Sequence, residues 1–162
     1  MSFEIELKDI GGASQYLDGL KAKLANLAPV YNEIGTALVE ETRTGFATST
    51  DPYGTPWLPL KMRAGQPLRD TARLMNSITH VADNEGVEVG TNVAYAATHQ
   101  FGATITPKVA PWLVFQGPSG TVFTKQVTVP ARPFLPTPEK GIPASWAQTI
   151  FDAIRARLGV AK

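Results

Sequence analysis

The chain has 162 residues, enough for one domain with a sizeable core, and is 43% hydrophobic and 18% charged, which excludes a disordered chain. It has no cysteine, so disulfide frameworks, thiolate metal sites and cysteine nucleophiles are excluded too. A net charge of +1 lacks the basic excess of a dedicated nucleic-acid binder.

The charge is unevenly spread. Residues 1–50 hold four cations against seven acids, a net of −3; Lys61, Arg63, Arg69 and Arg73 against Asp70 give residues 61–73 a net of +3. Such patches either meet between subunits or simply face solvent. The opening MSFEIELKDI does not read as a signal peptide, and no apolar run approaches the roughly 20 residues that span a bilayer. A soluble protein made in a reducing cytoplasm is expected.

In chain order, Phe3, Ile5 and Leu7 alternate with charged residues, the period of a half-buried strand. Leu17, Leu20, Leu24, Leu27, Tyr31, Ile34 and Leu38 then recur at steps of three and four. This predicts an apolar helical stripe over about 13–47, kinked or broken near Pro29. Residues 48–69 carry four prolines and two glycines among Tyr53, Trp57, Leu58, Leu60 and Met62, which predicts an extended arm lying on an apolar surface. Asp70 is positioned to cap a short helix running to Thr79.

His80–Ala82 and Val87–Val89 predict a hairpin, and Ala94–Gln100 a short helical turn that ends at Gly102. A longer hairpin over 111–129 turns at Gly117–Gly120. Trp146, Ile150, Ile154 and Leu158 mark a C-terminal helix over Ala144–Leu158, stopped by Gly159 and expected to pack on the sheet. The sum is an α+β fold over 1–162 as a single domain, with a mostly antiparallel sheet packed by N- and C-terminal helices.

No catalytic or metal constellation emerges. His80 and His99 fit no helical zinc motif, and no nucleophile elbow or phosphate-binding loop is present. Glu40 and Glu41 are helix neighbours whose side chains diverge by about 100°. Asp51 and Asp70 have no evident reason to meet. No enzyme activity and no cofactor are expected. The basic run near Trp57 and Tyr53 leaves nucleic-acid binding as a rival, and a hydrolase as a weaker one.

Four segments in order carry a resemblance: DPYGTPWLPL (51–60), LRDTARLMNSI (68–78), VGTNVAYAATHQFG (89–102) and VPARPFL (129–135). Together they resemble the virion-morphogenesis, or tail-completion, family of Mu-like and related tailed phages, across about residues 45–136. The resemblance implies a non-enzymatic protein of the virion head–tail junction that forms a ring, commonly sixfold, through whose lumen DNA passes. Neighbouring neck and tail-tube proteins are its implied partners, and a head-side stopper or adaptor ring is the alternative tier. Ala72 stands where the family often has glycine, so no positive φ is expected there.

On this reading Trp57, Leu58, Arg69, Arg132 and Phe134 are candidate subunit-contact residues, because aromatic and arginine anchors dominate interfaces. Acids of residues 1–50 are the proposed partners of Arg132. Tyr95, His99, Phe101 and Gly102 form a packing junction.

Overall fold

The computed structural model describes residues 12–159; the strand expected at Phe3–Leu7 lies outside them. Helix α1 (Ala13–Ala25) and helix α2 (Ala28–Thr48) are separate, with Pro29 in the first turn of α2. Proline is tolerated there because the first amides of a helix have no intrahelical partner. Leu27 cannot cap them; Asn84 Oδ1, from a distant turn, accepts from the amides of Leu27 and Ala28 at 3.1 and 3.0 Å. The stripe splits at the break. Val30, Ile34, Leu38, Val39 and Phe46 of α2 are buried, whereas Leu17 and Leu24 of α1 are exposed.

After α2 come α3 (Arg73–Asn76), β1 (Thr79–Ala82), β2 (Val87–Gly90), α4 (Ala96–Phe101), β3 (Ala103–Ile105), β4 (Leu113–Gly117), β5 (Gly120–Thr124), β6 (Val127–Val129) and α5 (Ala144–Leu158). The strands form three antiparallel pairs among the described residues: β1 with β2, β3 with β6, and β4 with β5. The long hairpin therefore differs from its expected form. Its second strand breaks at Lys125-Gln126, and β6 turns back to pair with β3, Ala103 opposite Val129. The β4–β5 ribbon is an excursion from that pair, with Val114 opposite Phe123.

Two hydrophobic clusters join α2, α3, α4, α5 and β2. Phe46, Trp57, Leu74, Ile78 and Phe134 form one; Val30, Ile34, Leu38 and Trp146 form the other, and half-buried Val89 and Leu135 touch both. Each buried large side chain contributes about 1.5–3 kcal/mol. Helix α5 has the expected bounds but packs chiefly on α2, since Trp146 sits among α2 side chains. Sheet β1–β2 also lies against α2, where Gly35 makes room: a Cβ there would come within 2.6 Å of His80 Cγ and 2.9 Å of Val87 Cγ2.

Residues 48–69 are not one extended arm. The Asp51 side chain folds residues 51–55 into a tight turn by accepting from the amides of Tyr53 and Thr55 at 2.9 and 2.8 Å. Trp57 then enters the core, residues 58–66 loop over the surface, and Pro67 is buried again. Nor does Asp70 cap a helix: α3 has four residues and follows Ala72, whose φ is +57°. The expectation of an ordinary φ at Ala72 fails. The chain enters α3 through a left-handed residue, the conformation a glycine would adopt without strain.

Candidate functional site: a junction of four segments

The four segments singled out by sequence converge on one place. At its centre Phe46 stacks edge-on against Trp57 and at a tilt against Phe134, each with ring centroids 5.5 Å apart. Trp57 Nε1 donates to the Pro133 carbonyl at 2.8 Å, tying the 51–60 segment to 129–135. Arg132 ties them again, its Nε donating to Leu58 O at 2.9 Å and its Nη2 to Pro59 O at 3.2 Å. Its own amide donates to His99 O at 2.7 Å, which brings in α4.

Gln100 completes the junction. Its Oε1 accepts from the amides of Phe134 and Leu135 at 3.0 and 3.1 Å, and its Nε2 donates to Leu135 O at 2.8 Å. The side chain thus replaces a strand partner for a proline-flanked segment that has none. Gly102 lets the chain leave α4 beside that segment: with φ +74°, a Cβ there would lie 2.9 Å from Ala131 N and 3.0 Å from Val129 O. Tyr53 closes the far side, its hydroxyl donating to Gly141 O at 2.7 Å and accepting from the Thr137 amide at 3.0 Å.

This geometry reassigns several side chains. Trp57, Arg132 and Phe134, expected as subunit anchors, are 7%, 6% and 3% exposed and are taken up inside the chain itself. Arg132 meets carbonyls, and no carboxylate pairs with it among the described residues. Leu58 and Arg69 stay on the surface, Arg69 donating to Gln66 Oε1 at 2.6 Å. Conversely Tyr95 and Phe101, expected to pack a junction, are 42% and 66% exposed. His99 lies edge-on to Tyr95, 5.7 Å between centroids, and burial and then the nearby Arg132 charge hold its pKa below the ordinary histidine value.

The candidate acids also have structural tasks. Glu40 pairs with Arg43 at 2.6 Å, Glu41 accepts from the Thr149 hydroxyl at 3.4 Å, and Asp51 meets Lys140 at 3.7 Å. Among the described residues no group of three or more His, Cys, Asp or Glu side chains is placed to hold a metal ion, and no helix is long and apolar enough to cross a membrane.

Gln100 and Tyr53 were missed as organising residues. The signal for Gln100 was an amide side chain at the end of a short helical turn, just before Gly102.

The family model for the phage virion morphogenesis family matches residues 8–159. A similar protein, Mu-like prophage FluMu G protein 2 of Haemophilus influenzae, is 35% identical over 132 residues, 82% of this chain and 82% of that one. No solved structure matches the chain. The chain belongs to the phage virion morphogenesis family.

Proposed function

We propose that this phage morphogenesis protein is a non-enzymatic structural component of the virion neck, a closed sixfold ring that completes the tail and joins it to the head. The observation that carries the ring is a pair of separate, uncovered apolar patches. One lies on the β4–β5 ribbon, where Val114 and the cross-strand Phe123 are 58% and 64% exposed beside half-exposed Trp112. The opposite face of the ribbon is also apolar, with half-buried Leu113, Phe115 and Val122. A two-stranded ribbon is marginal in water by itself, and one apolar on both faces calls for a second covering surface.

The other patch lies on α1, where Leu17 and Leu24, seven positions apart on one helix face, are 54% and 52% exposed; Phe151 of α5 is also 56% exposed. Two different patches on one subunit suit a head-to-tail contact, which closes into a ring when the rotation between neighbours permits. Neighbouring tiers of the neck and tail tube would then sit above and below, and DNA would pass through the lumen without sequence-specific contacts.

Native mass spectrometry of the purified chain tests this reading. Closed oligomers of one size are expected. Phe123→Asp, at a site exposed in the subunit, should leave the fold intact and weaken association by about 30-fold, the effect of losing one aromatic anchor worth ~2 kcal/mol. A chain that stays monomeric at all concentrations contradicts the ring.

A further inference from the structure

Beside the junction lies a cleft of about 450 Å³ whose lining includes Arg132 and which none of the contacts above fills. Two of the Arg132 nitrogens are held by the Leu58 and Pro59 carbonyls, while Nη1 has no acceptor among the described residues. Carbonyls satisfy hydrogen bonds without cancelling a charge, and burial pushes this guanidinium below its ordinary pKa. His99, bordering the same cleft, has a buried Nδ1 with no hydrogen-bond partner, a rare condition in folded proteins.

The rim adds Arg73, exposed and unpaired among the described residues, and Arg63, whose contact with Asp70 is long at 3.8 Å. Two of the three non-glycine residues with positive φ, Leu68 and Ala72, also line it. Strained backbone gathers at places that bind.

We infer that this cleft seats a side-chain carboxylate from an acidic, leucine-containing peptide segment of a neighbouring protein. That the neighbour is a virion component rests on the neck reading. The carboxylate matches the free edge of a guanidinium already fixed in its plane, the preferred geometry of arginine pairs. Apolar side chains flanking it match the Leu60 and Leu74 walls. A nucleic-acid backbone fits less well. Its phosphates are flanked by bulky polar sugars, which do not match the Leu60 and Leu74 walls.

The test is fluorescence anisotropy with the full chain and a labelled peptide of alternating leucine and glutamate. A second peptide has glutamine for glutamate; inorganic phosphate and a DNA duplex complete the probes. Saturable binding of the glutamate peptide is expected, weaker by about tenfold or more for the glutamine peptide and for Arg73→Glu, as loss of a charge-assisted hydrogen bond implies. Arg155→Glu, an exposed change on α5 away from the cleft, should leave binding unchanged.

Equal binding of both peptides, or equal loss in both variants, overturns the inference. So does phosphate binding without peptide binding, an adventitious ion only, or DNA binding that Arg73→Glu alone removes. The assay needs no particular oligomer. Peptide binding by a chain that forms no ring keeps the cleft and removes the neck reading; rings without peptide binding do the reverse.

Discussion

Replacing Gln100 by methionine tests the junction most sharply, because length and volume are nearly conserved while every hydrogen bond is lost. Three backbone groups lose their partner: the amides of Phe134 and Leu135 and the carbonyl of Leu135. The Phe134 amide is buried, so its orphaning costs about 2–3 kcal/mol; the two groups of half-buried Leu135 recover water in part and cost about 0.5–1 kcal/mol each. The expected loss is about 3–5 kcal/mol, a large part of the 5–15 kcal/mol typical of a folded domain.

Urea unfolding followed by the fluorescence of buried Trp57 and Trp146 reads this directly. At a slope of about 2 kcal/mol/M, the midpoint should fall by about 1.5–2.5 M. Gln100→Glu should fall between the two, since it keeps an acceptor for both amides but sets an oxygen against Leu135 O. A methionine variant destabilised by less than about 1 kcal/mol would refute the view that this side chain holds the Pro-Ala-Arg-Pro segment in place.

Three further outcomes are expected. Trp57→Ala should destabilise the subunit itself by about 3–5 kcal/mol, visible as an earlier thermal midpoint; normal stability with failed assembly would return Trp57 to an interface role. Ala72→Gly should stabilise by about 0.5–1 kcal/mol in the same melts, because it relieves a left-handed alanine at some entropic cost, and a destabilised variant would contradict the strain. Gly35→Ala should cost about 1–3 kcal/mol by pushing the β1–β2 pair off α2, checked by urea titration; a neutral effect would mean the packing yields there.

What could be seen from sequence was whatever repeats locally. The three-and-four spacing of α2 and α5, the Gly159 stop and the β1–β2 hairpin depend on neighbours in the chain, and all are present. The pairing of β3 with β6 links residues more than twenty positions apart and left no local trace. Burial was the harder quantity. A tryptophan after a proline-rich turn looks the same whether it fills its own core or a neighbour's pocket, and only the Pro133 carbonyl waiting for its Nε1 decides for Trp57.

Arg132 misled for a related reason. An arginine beside a phenylalanine suggested an interface, yet carbonyls of a distant loop hold it inside. The left-handed Ala72 was invisible because alanine gives no hint of a φ that it disfavours. The order of the four segments was the legible part of the site, and their convergence explains why they belong together.

Electron microscopy of particles assembled without the protein tests its proposed role in completing the tail and joining it to the head. Filled heads beside unattached tails are expected, with joining restored when purified protein is added. Normal, joined virions in its absence would contradict the account.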